Sequence, residues 1–285
     1  MFAEIIFSSF ILYITIGWRS LLEHGKAVYN ALEKSDLSLA RESVARIVSR
    51  DCDELNETEI AVAATESILE NGADAIFAAI FWFLIAGVIF AVTPIVAQLY
   101  GAKKFNEIGT KLREVLWIAL ALGFAVCTIL FFMGNFLFYL PIDTSITSIS
   151  SSYLKALSLG IIFMTIFTTL RCYSEGMALT RPVFYIAFFG MLLNIPLDII
   201  FVYGYFGVPK LGGVGCGIAT TLVSFLMMLT LIIYIFLSKN YSSTKPFSTF
   251  TPPSAKTTKE IFKLGTPIGF GIFIELSMFS GAALI

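Results

Sequence analysis

Six long apolar stretches occupy the chain from residue 77 onward, and they constrain its fold more than any other feature. They run roughly over 77–100, 115–140, 153–175, 183–205, 213–237 and 261–285. Each is about long enough for a helix to cross a hydrocarbon core of about 30 Å, which takes around 20 residues. Composition agrees, since 57% of the residues are hydrophobic and 14% are charged, against about 45–50% and about 25% in soluble domains. The sequence therefore predicts an all-α polytopic membrane helix bundle with about six full spans.

The loops between these stretches alternate between rich and poor in basic residues. Residues 101–114 carry four Lys or Arg, residues 238–263 carry five lysines, and residues 141–152 carry none. Cytoplasmic loops of membrane proteins are enriched in Lys and Arg. The alternation predicts that 101–114, 176–182 and 238–260 face the cytoplasm.

The N-terminal part has a different character. After an apolar opening, residues 18–76 are polar and helix-forming. The segment Ser35 to Asp51 has apolar residues at helical spacing and a candidate N-cap at Ser35, and Glu57 to Phe77 follows with acidic residues near its start. We expect a mostly helical polar segment ahead of the membrane bundle.

Several classes of site are excluded by the residue inventory. Lys and Arg are scattered and form no basic face, so we expect no nucleic-acid partner. The four cysteines show no CxxC spacing and there is a single histidine, so we predict no metal site and no cofactor. We predict no catalytic residue.

An acid in the middle of an apolar stretch is the strongest functional candidate. Asp198 lies within 183–205, one turn after Asn194, so both side chains lie on the same side of a helix. Pro196 between them lacks a backbone donor and frees a carbonyl nearby. An ionisable group at mid-membrane costs about 2.5–3.5 kcal/mol, which makes it a functional hypothesis. The alternative is a carboxylate satisfied by neighbouring helices, and for Arg171 and Glu175 an intrahelical ion pair is favoured.

Five sequence segments carry a family resemblance along this part of the chain. They are TPIVAQLYGA (Thr93 to Ala102), LRCYSEGMALTRP (Leu170 to Pro182), LLNIPLDIIFVYG (Leu192 to Gly204), GGVGCGIAT (Gly212 to Thr220) and FKLGTPIGFGIFIE (Phe262 to Glu275). From about Val88 to Ile285 the chain resembles the multidrug and toxic compound extrusion (MATE) family of the NorM type. The five segments are similar to parts of that family's second, fourth, fifth, sixth and seventh helices, in order.

The resemblance implies export of drug-like organic cations by H⁺- or Na⁺-coupled antiport in the inner membrane. It implies a cation-coupling role for Asp198, Asn194 and Thr220, and for Glu275 in the second lobe. It also divides the chain into an N-terminal lobe at 87–240, an inter-lobe linker at 241–260 and the start of a second lobe at 261–285. We expect a truncated transporter in which the N-terminal lobe is incomplete and most of the second lobe is missing. A second copy of the chain in a homo-oligomer is one source of that missing lobe.

Residues 1–86 are similar to a different family. The segments Leu12 to His24, Ala40 to Asp51 and Ala63 to Phe83 resemble the CobD/CbiB adenosylcobinamide-phosphate synthases of cobalamin biosynthesis. Glu66, Glu70 and Asp74 would share one helix face, which suits a metal or polar substrate and equally a solvated acidic face. The resemblance leaves two alternatives to transport: a membrane enzyme of this type, and a non-functional fusion.

Overall fold

The computed structural model describes residues 18–48, 51–72, 87–136, 138 and 144–282. Side chains are described in these ranges except at 18–22, 68–72, 136, 144–146 and 273–282. Within the described ranges every regular element is helical. The helices are α1 Trp18–Glu33, α2 Leu37–Ala45, α3 Glu57–Gly72, α4 Val92–Gly101, α5 Phe105–Phe136, α6 Thr144–Gly176, α7 Thr180–Tyr203, α8 Gly213–Leu237 and α9 Ala255–Ala282, with a 3₁₀ turn at Lys239–Tyr241.

The chain separates into two compact units, 1–87 with 266–285, and 88–265. In the first unit, α1, α2 and α3 pack around a small apolar core. The buried residues of that core are Val28, Ala31, Ala40, Val44, Cys52, Ile60, Ala63 and Ala64. Most are small, so the three helices approach closely, and the predicted polar helical segment is confirmed for the described part of 18–76.

The cap predicted at Ser35 is wrong by one residue. Asp36 is the N-cap of α2, and its side chain accepts a hydrogen bond from the amide of Leu39 at 3.0 Å. Ser35 instead terminates α1: its φ is +56°, and its amide donates to the carbonyl of Leu32 at 2.9 Å. A residue in the left-handed conformation closes a helix C-terminus, and therefore the cap of the next helix falls to Asp36.

Four described helices are long and apolar enough to cross a membrane, at Phe105–Asn135, Thr147–Gly176, Thr180–Tyr203 and Gly213–Leu237. They confirm four of the six predicted stretches. The first stretch lies partly outside the described residues, and its described part is the shorter apolar helix Gly87–Gly101. Helix α9 contains the described part of the last stretch. Helices α5 and α6 begin about ten residues before the predicted apolar limits, because hydropathy marks the lipid-exposed length and helical geometry continues into polar turns.

Helix α6 is the central element of the second unit. It packs against α5 on one side and α8 on the other, and also contacts α4, while α7 packs mainly on α8. One third of the α6 span is buried, against 11% of the α7 span. Helix α7 accordingly exposes large apolar side chains, which a bilayer would cover: Phe184, Phe188, Phe189, Leu193, Ile195 and Ile199.

Small residues set the distance between α6 and α8. A Cβ at Gly160 would lie 2.7 Å from the hydroxyl oxygen of Thr221, and one at Gly217 would lie 3.1 Å from the carbonyl oxygen of Tyr153. Thr221 donates to the carbonyl of Ala156 at 2.8 Å. Close packing at small residues, with hydroxyl groups bonding across helices, is how spans associate where lipid removes the hydrophobic driving force.

The segment after α8 packs onto the end of α6. Tyr241 is 1% exposed and donates to the hydroxyl of Ser174 at 3.0 Å, and its ring lies 5.6 Å from that of Tyr173. The hydroxyls of Thr244 and Tyr173 are 2.6 Å apart. The residues around 173–176 and 238–244 therefore meet at one end of the second unit, as the predicted cytoplasmic side requires.

A polar network joins the first turns of α5 and α9 within the same unit. Lys111 donates to Thr257 at 2.7 Å and pairs with Glu260 at 2.5 Å. Thr257 in turn donates to Glu114, whose side chain is buried at 8% exposure. Arg113 donates to the hydroxyl of Thr251 at 2.8 Å. These bonds join the end of the basic loop 101–114 and the start of α5 to the basic segment 238–260.

Candidate functional site

The predicted pair on α7 is formed. The side-chain amide of Asn194 donates to Oδ2 of Asp198 at 2.5 Å, across one helical turn. Pro196 lies inside the helix between them. Since proline has no amide hydrogen, the carbonyl four residues earlier, that of Leu192, has no helical donor. Amide, carboxylate and free carbonyl thus occur within two turns of one span.

The second oxygen of Asp198 has no hydrogen bond from a nitrogen or oxygen donor. Among the described side chains, Oδ1 of Asp198 is the buried polar atom without a hydrogen bond. A buried carboxylate oxygen left unpaired costs free energy, of the order of 1–3 kcal/mol or more for a charged group. A proton or a bound cation would remove that cost.

Helix α8 supplies the neighbours of this carboxylate. The Cys216 thiol lies within hydrogen-bonding reach of the Asp198 carboxylate and interacts with its charge. A thiol is only a weak donor, so this contact satisfies the carboxylate poorly. Thr220 is half-buried and lies one turn after Cys216 on the same face of α8.

The two helices meet closely at this level. A Cβ at Gly215 would lie 2.6 Å from the carbonyl carbon and oxygen of Phe201. Backbone bonds from Leu211 to Phe201 (3.1 Å) and from Gly212 to Val202 (3.2 Å) close the turn between α7 and α8. The position of Cys216 next to Asp198 is therefore fixed by backbone contacts.

Oxygen ligands on a span of low polarity suit a hard monovalent cation or a proton. Asp198 carries the negative charge, and Asn194, Thr220 and the Leu192 carbonyl carry further oxygens on α7 and α8. The described residues include no group of three or more His, Cys, Asp and Glu side chains placed to hold a metal ion.

Sequence reasoning placed Asn194 and Asp198 together but did not single out Cys216. The signal available was its place in the segment GGVGCGIAT, four residues before Thr220. Glu275 lies on α9, in the part whose side chains are not described, so its role stays a prediction. Arg171 and Glu175 form the predicted intrahelical pair at 2.7 Å.

The acidic residues of the N-terminal segment are only partly described. Glu66 is exposed on α3. The Glu70 side chain and the whole of Asp74 lie outside the described residues. The shared acidic face of these three residues therefore stays a prediction.

Two family models match the chain. Residues 71–200 match the family described as MatE, and residues 1–102 match the family described as CobD/Cbib protein. The two matches overlap over residues 71–102. Both resemblances predicted from the sequence are thus confirmed.

Curated relatives are similar over most of the length of the chain. The multidrug resistance protein NorM of Vibrio cholerae serotype O1 is 37% identical over 199 residues, which are 70% of this chain and 44% of that protein. The NorM of Photobacterium profundum is 34% identical over 224 residues, 79% of this chain and 49% of that protein. The chain therefore spans about half the length of the curated relatives it matches.

Solved transporter structures share the fold. The MATE transporter NorM-NG, solved in complex with a monobody, aligns with a TM-score of 0.55 at 25% identity and covers 96% of this chain and 53% of that one. The eukaryotic MATE transporter AtDTX14 aligns with a TM-score of 0.59 at 14% identity, covering 98% and 56%. With the four described spans, these likenesses confirm an all-α, multi-pass membrane protein with one incomplete MATE-like lobe.

Proposed function

We propose that α4 to α8 form part of an exporter that moves drug-like organic cations across the inner membrane in exchange for H⁺ or Na⁺. The similarity to proteins named as multidrug resistance proteins and MATE transporters supports transport for the main part of the chain. This role needs no cofactor and no catalytic residue.

The unpartnered Oδ1 of Asp198 carries the proposal. Binding of a coupling cation, or protonation, neutralises this carboxylate, with Asn194 holding the other oxygen at 2.5 Å. Thr220 would add a hydroxyl oxygen from α8, and Glu275 would serve a second lobe. A ligand shifts a conformational equilibrium only through different affinities for the two states. The coupling step is therefore a rearrangement of α7 against α8 that changes the surroundings of Asp198.

Export by alternating access requires two lobes that rock about a central site. The second lobe would come from a further length of chain or from a second copy of this one. The first alternative predicts an active monomer of a longer protein, and the second predicts an active homo-oligomer.

The decisive variant is Asp198→Asn, which keeps the shape of the side chain and removes its charge. We expect export of a fluorescent lipophilic cation from proteoliposomes to fall to background, under a pH gradient or a Na⁺ gradient. The matched control is Glu175→Gln, which removes a carboxylate that is 29% exposed and paired with Arg171, and it should retain export. Whichever gradient drives the wild type identifies the coupling ion. Equal export by wild type and Asp198→Asn refutes the coupling role of Asp198. No export by a wild type that carries its second lobe, from either source, refutes the transport function.

A second candidate function follows from the match of residues 1–102 to the CobD/Cbib family. It makes the N-terminal segment part of an adenosylcobinamide-phosphate synthase-like membrane enzyme, with the acidic face of α3 towards its substrate. Expression of the chain in a strain that lacks this synthase tests it, because growth without added cobalamin would require the activity. A non-functional fusion predicts neither growth nor export.

A further inference from the structure

A cavity of about 340 Å³ opens at the end of α8, between the last turn of the span and the segment that follows it. Its polar lining includes Ser238, Lys239, Ser242 and Lys245. Its apolar lining includes Phe236 and Leu237. Polar and apolar surfaces thus meet in one recess.

The charge of this cavity is positive. Two lysines line it, and its lining includes no aspartate or glutamate. In the described part of the chain neither Lys239 nor Lys245 has a carboxylate within ion-pair distance, although Lys104, Lys111, Arg46 and Arg171 all do. An anion would be the natural complement of two such ammonium groups in a recess.

The cavity opens where the apolar span of α8 ends and a polar segment begins. Phe236 and Leu237, the last two residues of the α8 span, are each 73% exposed. The polar turn Lys239–Tyr241 follows directly. Because this end of α8 is the predicted cytoplasmic side, the recess faces the inner leaflet, where anionic lipids attract basic residues.

The backbone around the cavity is held in place. Tyr241 is buried and bonded to Ser174. Lys245 has a φ of +46°, and Arg113 donates to its carbonyl oxygen at 2.9 Å. A site whose lysines stand on a fixed backbone loses less entropy when it binds a ligand.

We propose that this cavity binds the phosphate group of an anionic phospholipid of the cytoplasmic leaflet. Lys239 and Lys245 contact the phosphate oxygens, the serine hydroxyls donate to the headgroup, and the acyl chains run along Phe236 and Leu237. The shared chemistry is that of a phosphate anion, and the apolar rim favours a lipid over free phosphate. The site is separate from the Asp198 pair, so its test does not require export activity.

The test uses the full chain in nanodiscs made of a neutral phosphatidylcholine with increasing phosphatidylglycerol. Bound phosphatidylglycerol is counted by native mass spectrometry for the wild type, for Lys239→Gln/Lys245→Gln and for a control, Lys256→Gln/Lys259→Gln. The control removes the same charge from lysines at the start of α9, outside the cavity. General attraction to the membrane affects both double variants and cancels in their comparison.

We expect the cavity variant to bind phosphatidylglycerol at least about tenfold more weakly than the control, since two charge-assisted contacts are lost. Millimolar inorganic phosphate should not displace the lipid. Equal weakening of the two double variants, or equal binding of phosphatidylcholine and phosphatidylglycerol by the wild type, overturns the proposal. Displacement by inorganic phosphate overturns the assignment to a lipid and leaves a soluble phosphate as the ligand.

Discussion

Gly215→Ala is the substitution that most directly tests the packing around Asp198. The added Cβ would lie 2.6 Å from the carbonyl carbon and oxygen of Phe201 and 2.8 Å from the amide nitrogen of Val202. These are backbone atoms of α7 and cannot rotate away. Since carbon atoms pack at about 3.5–4.0 Å, α8 has to move away from α7 by about 1 Å.

A movement of this size breaks the turn between the two helices. The amides of Leu211 and Gly212 donate to Phe201 and Val202 at 3.1 and 3.2 Å, and about 1 Å more takes both beyond hydrogen-bond distance. Overpacking costs about 1–3 kcal/mol, and each lost bond about 0.5–1.5 kcal/mol. We expect a total loss of about 4 kcal/mol, the middle of the combined range.

The assay is the fraction of purified protein that stays monodisperse after heating in detergent. At about 2–4 °C per kcal/mol for a unit of this size, the midpoint should fall by about 8–16 °C. Gly101→Ala is the matched control, because a Cβ there meets nothing within 4 Å; its midpoint should stay or rise slightly. A Gly215→Ala midpoint equal to that of the control would refute the argument that backbone contact sets this helix pair.

Three further predictions concern single side chains. Tyr241→Phe removes the hydrogen bond to Ser174 and should destabilise the second unit by about 1 kcal/mol. The control Tyr234→Phe changes a partly exposed ring and should leave the thermal midpoint unchanged. Equal midpoints for the two variants would contradict this prediction. Burial raises the pKa of the Tyr241 hydroxyl above the ordinary 10.0. The stability that this hydroxyl contributes is therefore complete below pH 10.0 and is lost as the pH rises through the raised pKa. Thermal midpoints measured at increasing alkaline pH should decline less steeply for Tyr241→Phe than for the wild type. In the N-terminal unit, Asp36→Ala should lower the free energy of unfolding by about 1 kcal/mol, because it removes the N-cap of α2. Ser35→Gly should leave that free energy unchanged or raise it, because Ser35 has a φ of +56°. Urea unfolding measures both, and a larger loss for Ser35→Gly than for Asp36→Ala would restore Ser35 as the cap.

Local spacing along the chain is enough to predict the features that lie within single helices. Hydropathy depends only on consecutive residues, so the predicted spans agree with Gly213–Leu237 and Thr180–Tyr203 to within three residues. Residues four apart on a helix are neighbours whatever surrounds the helix. For that reason the contacts of Asn194 with Asp198 and of Arg171 with Glu175 are predictable from the order of residues alone.

Competition between neighbouring elements is not predictable in the same way. Ser35 and Asp36 are both good N-cap residue types. The choice between them depends on how α1 ends, because the closing residue of one helix cannot also cap the next. Sequence reasoning about α2 alone therefore chose the wrong residue.

The order of residues alone is enough to predict a helical membrane protein, four of its spans, its family resemblances and the acid in the middle of α7. The folded structure was needed to show that Cys216 lies beside Asp198, that Oδ1 of this carboxylate has no nitrogen or oxygen donor, and that Tyr241 is buried against α6. Contacts within a helix follow from covalent spacing, whereas contacts between helices depend on which small residues let two backbones approach. Gly215 is an example. It is one of several glycines in its segment, and a glycine is needed at this position because α8 lies against the backbone of Phe201 there.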